Sequence, residues 1–188
     1  MIQDFFIKNM VCDRCIKVLK DELHHNNIVL KQIELGRVRL DIEGDGEIEK
    51  LETLLEKNGF SLIDRADEKL TEQIKIELIK TLKELPLQIK TKLSTHLANT
   101  LGVEYSKISK VFSFTEGITI ERYFIKLKTE KVKELIQAKE INFTEMGQLL
   151  DYSNVNHLSR QFKSETGMSL SAYKSQQKNF RNSLDQIM

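Results

Sequence analysis

The chain has 188 residues, of which 40% are hydrophobic and 30% are charged, and its formal net charge is +1. This composition is typical of a globular protein with one large domain or two small ones. No apolar run approaches the roughly 20 residues that a membrane-spanning helix needs, and the N-terminus lacks the basic and apolar segments of a secretory signal. We therefore expect a cytoplasmic protein.

The net charge conceals an asymmetry between the two ends of the chain. Residues 1–70 carry a net charge of −4, whereas residues 71–188 carry one of +5. An acidic front half and a basic back half indicate two domains, and only the back half has a charge suited to nucleic acid. A charge of +5 is modest, so it does not by itself establish DNA binding.

Short strand and helix patterns alternate in residues 1–66. Apolar residues spaced three and four apart predict two helices, and Gly36 is placed at a hairpin turn. The predicted strands cover residues 3–8, 28–35, 37–42 and 60–64, and the helices run from about Cys15 to Asn26 and from Gly46 to Asn58. The resulting order, βαββαβ, predicts a ferredoxin-like α+β domain.

Two cysteines, Cys12 and Cys15, form a C-x-x-C pair in the loop between the first strand and the first helix. In a reducing cytoplasm such a pair is more often metal-binding or redox-active than a structural disulfide. A loop that enters a helix N-terminus puts thiols near the positive end of the helix dipole, so we expect lowered pKa values. Two thiolates suit soft, low-coordinate Cu(I), whereas Zn(II) wants four ligands and would need outside ones.

With this order of elements, the motif Met10-x-Cys12-x-x-Cys15 makes residues 2–65 resemble a heavy-metal-associated domain, as found in copper chaperones and metal-pumping ATPases. The resemblance implies that Cys12 and Cys15 bind a soft ion, with Cu(I) favoured and Zn(II) or another thiophilic ion as alternatives. It also implies that Met10 packs beneath the loop and that Phe60 lies beside it.

The loop departs from that family's pattern at two positions. Asn9 stands where the family has Gly, and Val11 stands where it has Thr, so the resemblance does not fix the metal. Thiol–disulfide redox sensing and an inherited fold without a working site are alternative interpretations of the cysteine pair. His24 and His25, at the far end of the first helix, are predicted to be exposed and are not expected to be ligands.

A helix with apolar residues every four positions follows, from Leu70 to near Pro86, because proline disfavours helix in the residue before it. It joins the two halves without a flexible linker, either as a coupling element or as a rigid spacer. Two helix pairs with tight turns are then predicted over 92–117 and 144–167, separated by an amphipathic helix over 119–138.

The second helix of each pair begins at Tyr105 or Asn154, and these starts lie 49 residues apart, as a duplicated unit with an intervening helix requires. Amide and basic groups suited to base edges and phosphates are predicted on the outward faces. These groups belong to Tyr105, Ser106, Lys107, Ser109 and Lys110 in the first unit, and to Asn154, Asn156, His157, Arg160, Gln161 and Lys163 in the second. The predicted core residues are Ile108, Phe112, Leu158, Phe162 and Tyr173.

The run LSRQFKSETGMSLSAY, residues 158–173, resembles the closing signature of the AraC/XylS family of bacterial transcription regulators. The resemblance implies an all-α tandem helix-turn-helix domain over 67–188, whose two recognition helices enter successive major grooves roughly 34 Å apart. Asp151 occupies a turn position where the family has Gly, and a left-handed backbone there would be tolerated at some cost.

That resemblance also implies sequence-specific binding to promoter DNA, with RNA polymerase as a further candidate partner. The residues that it assigns to bases are Tyr105, Ser106, Lys110, Asn154, Asn156 and Arg160, and those that it assigns to phosphates are Lys107, Ser159 and Lys163. For each of these residues singly, a solvated polar face is the alternative interpretation.

Together, the two resemblances predict a transcription regulator whose front domain senses a soft metal ion. The cupin-like sensor that usually precedes an AraC-type domain has no room in this chain. A thiol–disulfide sensor, and a metallochaperone whose helical half binds a protein partner, are the alternatives. No spacing of catalytic residues indicates an enzyme. The operator, the sign of regulation and the oligomeric state are left open.

Overall fold

The computed structural model describes residues 1–87, 89, 91–176, 182, 184 and 187. The front half contains β1 (Ile2–Lys8), α1 (Asp13–His25), β2 (Val29–Glu34), β3 (Arg37–Asp41), α2 (Asp45–Lys57) and β4 (Ser61–Leu62). The back half contains α3 (Ala66–Lys83), α4 (Leu93–Leu101), α5 (Tyr105–Glu116), α6 (Ile120–Ala138), α7 (Phe143–Leu149), α8 (Val155–Thr166) and α9 (Leu170–Ser175). The predicted order of elements is confirmed, and most of the tail after Lys174 lies outside the described residues.

The four strands form one small antiparallel sheet in the order β2-β3-β1-β4. Phe5 and Ile7 of β1 alternate with more exposed residues and share a core with α1 and α2, which therefore cover one face of the sheet. The last strand, Ser61–Leu62, is shorter than predicted, and it pairs with Lys8 and Ile7 of β1. Gly36 has a φ of +71° at the β2–β3 turn, as its predicted hairpin position requires.

Helix α3 lies against the other face of that sheet. Phe6 points away from the face that α1 and α2 cover, and the Lys69 ammonium lies 4.8 Å from its ring centroid. A Cβ added to Gly36 would come within 2.3 Å of Ile76 Cδ1, so the hairpin and α3 are in close contact. Helix α3 therefore contacts the sheet directly as well as joining the two halves.

A second core joins the helices of the back half. It contains all five residues predicted as core there. The rings of Tyr123 of α6 and Tyr173 of α9 pack at interplanar angles of 60° and 81° against Phe112 and Phe162, with ring centroids 5.4 and 5.5 Å apart. Val11 of the cysteine loop belongs to this helical core and is 3% exposed. Within the part of the chain that the structure describes, no helix has the length and hydropathy of a membrane span.

Candidate functional site

The cysteine pair lies at the N-terminus of α1. Cys12 is the N-cap residue, and its sulfur accepts a hydrogen bond from the backbone N–H of Cys15 over 3.4 Å. Helix α1 therefore begins at Asp13, two residues earlier than predicted, because the thiol caps it. The two sulfur atoms are 2.8 Å apart, and both cysteines are free and half-buried.

Asn9 and its neighbours hold the cysteine loop in place. Asn9 has a φ of +67°, the left-handed backbone that Gly adopts freely and Asn tolerates. Its carbonyl oxygen accepts a hydrogen bond from Cys15 Sγ over 3.9 Å, and its backbone N–H donates to Glu72 Oε1 of α3 over 3.0 Å. Met10 is fully buried in the front core, so its predicted position beneath the loop is confirmed. Phe60 is also buried in that core.

The pKa of Cys15 differs from the sequence-based expectation. Burial of the thiol, and then its contact with Cys12, raise the pKa of Cys15 to about 11. The expected lowering by the helix dipole is wrong for this residue, because desolvation of the charged thiolate outweighs the favourable position at the helix N-terminus. Cys15 therefore keeps its proton at neutral pH until a ligand displaces it.

The donor set at this loop fits a soft ion with few ligands. Two thiols are the groups that Cu(I) prefers, and both are partly accessible from solvent. No cluster of three or more His, Cys, Asp or Glu residues occurs among the described residues, so the tetrahedral set that Zn(II) needs is not present there. His24 and His25 are exposed, as predicted.

The first helix-turn-helix unit consists of α4 and α5. Gly102 ends α4 in the left-handed conformation, with a φ of +63°, and α5 begins at Tyr105. Ser106, Lys107 and Lys110 are exposed on α5. Tyr105 is half-buried, and its hydroxyl donates to Glu121 Oε1 over 2.6 Å. Burial and this carboxylate together raise the pKa of Tyr105, so its predicted contact with DNA competes with an internal hydrogen bond.

The second helix-turn-helix unit consists of α7 and α8. Asn142 and Glu145 form a capping box at the start of α7. Asp151 in the turn has a φ of +57°, so the left-handed backbone expected at this position is present. Asn154 caps α8, with its Oδ1 accepting from the backbone N–H of His157 over 2.9 Å. The side-chain oxygen of Asn154, which was predicted to read a base, thus already accepts a hydrogen bond within the protein.

The outward face of α8 presents a compact group of polar side chains. Asn156, Arg160 and Lys163 are exposed, and Ser159 is half-buried. One surface depression is lined by Asn154, Asn156, Ser159 and Arg160. These four residues are predicted DNA contacts, and they lie toward the N-terminus of α8. That end of a recognition helix is the part that contacts base edges.

Gln161 does not lie on the outward face, and its predicted placement there is wrong. The side chain is half-buried, and its Oε1 accepts a hydrogen bond from the Tyr152 hydroxyl over 2.6 Å. The ring of His157 packs edge-on against the same Tyr152 ring, with centroids 5.3 Å apart. Burial of the tyrosine hydroxyl makes a partner necessary, and Gln161 supplies it.

Helix α6 contacts both units. Tyr123 is buried against Phe112 of the first unit. In the second unit, the Lys128 ammonium lies 3.9 Å from the Tyr152 ring centroid, and Arg122 forms an ion pair with Glu165. Helix α6 therefore lies between the two units in the chain and packs on both of them.

Sequence reasoning missed a set of buried charged residues between the two halves. Glu72 and Lys75 of α3 are 4% and 7% exposed, and Lys75 Nζ lies 2.8 Å from Glu116 Oε1 at the end of α5. The signal in the sequence was the apolar pattern of α3, which includes Ile76 and Ile79 beside its main stripe. A helix that is apolar on more than one side is buried on more than one side. Charged residues that lie between its apolar positions, such as Glu72 and Lys75, are then buried as well.

Comparisons with known proteins agree with this description of the back half. Residues 97–176 match a family model described as a helix-turn-helix domain. No similar protein was found among the curated proteins compared with this chain.

Among solved structures, the chain is similar to a transcriptional regulator with an AraC-type DNA-binding domain from Chromobacterium violaceum. The TM-score is 0.51 and the identity 14%, over 62% of this chain and 99% of that chain. The chain is also similar to the C-terminal domain of AraT, a response regulator from Geobacillus stearothermophilus, with a TM-score of 0.49 and 19% identity over 60% of this chain and 91% of that chain. Residues 97–176 therefore form a helix-turn-helix domain, and the back half has the fold of an AraC-type DNA-binding domain.

Proposed function

We propose that this protein is a DNA-binding transcription regulator whose two helix-turn-helix units bind one duplex. The observation that carries the proposal is the exposed face of α8, which presents Asn156 and Arg160 side by side. Amide and guanidinium groups are those that read adenine and guanine in the major groove. Because α6 packs on both units, the two second helices are held in a fixed relation, as binding to successive grooves requires.

The test selects duplexes from a random pool with the full chain and then measures the dissociation constant of a selected duplex. We expect the double variant Asn156→Ala/Arg160→Ala to bind it more weakly by at least about tenfold, because base contacts are lost. A matched control is Lys57→Ala, which removes an exposed lysine from the front half. Failure to enrich any sequence, at low or high salt, would contradict the proposal and favour a metallochaperone whose helical half binds a protein.

We further propose that Cys12 and Cys15 bind a soft metal ion, with Cu(I) favoured, and that this ion is the input of the regulator. The strand order β2-β3-β1-β4, with two helices on one face, supports a ferredoxin-like arrangement like that of a heavy-metal-associated domain. The two thiols provide the ligands, and the bound ion would change the charge of the loop. Met10 is buried, so it supports the loop from within the core.

The metal test is a Cu(I) titration under reducing conditions against a competing chelator. We expect wild type to bind about one equivalent and the Cys12→Ser/Cys15→Ser variant to bind none. Since the pKa of Cys15 is raised to about 11, the ion must displace a proton, and the apparent affinity should rise about tenfold per pH unit for each proton displaced. Equal binding by the variant, or an affinity that falls with rising pH, would contradict this site.

Thiol–disulfide sensing is a second candidate, and the 2.8 Å between the two sulfurs favours it. With hydrogen peroxide, the two thiols would lose two electrons and two protons to form a disulfide, and the peroxide would be reduced to water. Under this alternative, peroxide changes DNA affinity and a copper chelator does not. The reverse result supports metal sensing.

A further inference from the structure

A buried polar chain connects the cysteine loop with the end of α5. It begins at the backbone N–H of Asn9, which donates to Glu72 Oε1 over 3.0 Å. Glu72 and Lys75 lie three residues apart on α3, so their side chains share one face of the helix. Lys75 Nζ then contacts Glu116 Oε1 over 2.8 Å, and Glu116 is the last residue of α5. The chain thus crosses from the front half to the first helix-turn-helix unit through α3.

The charged members of this chain depend closely on one another. Two carboxylates and one ammonium are buried together, and a buried ion that loses its partner is strongly unfavourable. Glu116 Oε2 has no hydrogen-bond partner among the residues that the structure describes. Lys75 pairs with Glu116 and lies one helical turn from Glu72, so a change in the bond from Asn9 to Glu72 changes the electrostatic field on the Lys75 ammonium.

The loop end of the chain is linked directly to the cysteine pair. Cys15 Sγ bonds to the carbonyl oxygen of Asn9, whose own N–H is the donor to Glu72. Val11, two residues after Asn9, is buried in the helical core and not in the front core. A displacement of Cys15 therefore acts on the back half at two points, one polar and one apolar.

We propose that α3 transmits the state of the cysteine pair to the first helix-turn-helix unit, through Asn9, Glu72, Lys75 and Glu116 and through the packing of Val11. The inference rests on the proposed function and names its route of regulation. The second unit packs on α6 and accepts one backbone hydrogen bond from Leu87, after α3. No hydrogen bond or ion pair among the described residues joins it to the cysteine loop, so we place it outside the polar route. Occupation of the cysteine pair changes how α5 meets DNA and leaves α8 unchanged.

The first test measures the DNA dissociation constant with and without Cu(I) in wild type and in two variants of α3. Glu72→Gln keeps the shape of the side chain and removes the charge that attracts Lys75. Glu77→Gln is the matched control, since Glu77 contacts His96 of α4 at 3.0 Å and lies outside the chain. We expect Cu(I) to change the constant by about 5- to 150-fold in wild type and in Glu77→Gln, and by less than about twofold in Glu72→Gln.

Direct Cu(I) titration of each variant separates transmission from binding. The Cu(I) affinity and the metal-free DNA affinity of each variant serve as its own reference, and for Glu72→Gln we expect both to be measurable while the effect of Cu(I) on DNA binding is lost. Full coupling in Glu72→Gln, or no effect of Cu(I) on a wild type that binds both ligands, overturns the proposed route. If wild type does not bind Cu(I) at all, the metal site is refuted. The proposed route through α3 is then tested by a measurement that needs no metal.

That second measurement is amide hydrogen exchange of the metal-free chain. Val11→Thr puts a hydroxyl at the contact with the helical core, whereas the control Val38→Thr makes the same change in the front core alone. We expect Val11→Thr to speed exchange in α5 by about tenfold or more and to leave α8 unchanged. Equal exchange of α5 in both variants overturns the proposal.

Discussion

The two helix-turn-helix units share a design and differ in what surrounds them. In the first, α5 packs on α3, ends in a buried ion pair with it, and begins without a side-chain cap. In the second, α8 begins at the Asn154 cap and presents its polar residues on an open surface. The first unit is thus joined to the cysteine-bearing half through α3. The second unit packs on α6 and accepts one backbone hydrogen bond from Leu87, in the segment after α3.

This difference indicates a division of tasks between the units. Tyr105 of the first unit is bonded to Glu121, whereas Asn156 and Arg160 of the second lie on an unobstructed face. We expect the second unit to supply most of the constant affinity for DNA and the first to supply the part that varies. Variants made at matched positions in the two units can test that expectation.

The largest expected effect comes from the two central aromatic residues. Phe112→Ala and Phe162→Ala should each lower the free energy of unfolding by about 3–5 kcal/mol, because both rings are buried and each packs against a tyrosine ring. Urea denaturation measures the loss. Only Phe112→Ala should also speed hydrogen exchange in the front sheet, through α3. Equal effects of both variants on that sheet would remove the asymmetry between the units.

The next effect concerns DNA binding. Arg160→Ala should weaken binding to a selected duplex by about 1–3 kcal/mol and relax sequence preference at one position, as the loss of a base contact does. Lys110 occupies the corresponding place on α5. Although the resemblance assigns it to a base, we expect Lys110→Ala to weaken binding to all sequences alike and to reduce the salt slope by about 1, because an ammonium lacks the fixed fork of a guanidinium. Fluorescence anisotropy over a range of salt concentrations distinguishes the two. A larger loss of specificity in Lys110→Ala would reverse the assigned tasks.

A smaller effect is expected at the turns, where the units use different residues. Gly102→Ala should cost about 1–2 kcal/mol, all of it from the left-handed backbone, because a Cβ there would meet no atom within 4 Å. Asp151→Gly should gain about 0.5–1 kcal/mol, since Gly adopts its φ of +57° without strain. Thermal unfolding measures both. A loss of stability in Asp151→Gly would show that the Asp side chain makes a contact worth more than the strain.

The smallest expected effect comes from the helix caps. Asn154→Ala should lower the free energy of unfolding by about 1 kcal/mol, because α8 loses the acceptor for the His157 N–H. Glu104→Ser should raise it by about 0.5–1 kcal/mol, since α5 has no side-chain cap in this position. Urea denaturation measures the free energy of unfolding of both variants. An unchanged value in Asn154→Ala would mean that water replaces the side-chain acceptor of the cap fully.

Local patterns in the sequence were sufficient to predict most of the elements. Helix spacing placed the starts of α5 and α8 to within one residue. The left-handed backbone at Asp151 was expected from the resemblance to the AraC/XylS family, which has Gly at this turn position. Contacts between distant segments were not predictable in this way. Gln161 has a polar side chain at a helix surface, and only the nearby hydroxyl of Tyr152 turns it inward.

The cysteine loop shows the same limit. Spacing located Cys12 and Cys15 at the start of a helix, but the pKa of Cys15 depends on burial, which the local sequence does not report. Val11 was noticed only as a departure from a family pattern. Val11 is an apolar loop residue that does not belong to the front core, and its partner is the helical core.

Gly36 also determines where this chain can be divided into separate fragments. Because glycine has no side chain, Ile76 of α3 packs directly against the hairpin, and the surfaces of the sheet and α3 are complementary at this point. A gene fragment that stops at residue 66 would produce a sheet with one uncovered face, and a fragment that starts there would leave Ile76 bare. Exchange of the front half for another sensor would therefore need to carry α3 with it, or to provide a new surface with an equally narrow hairpin.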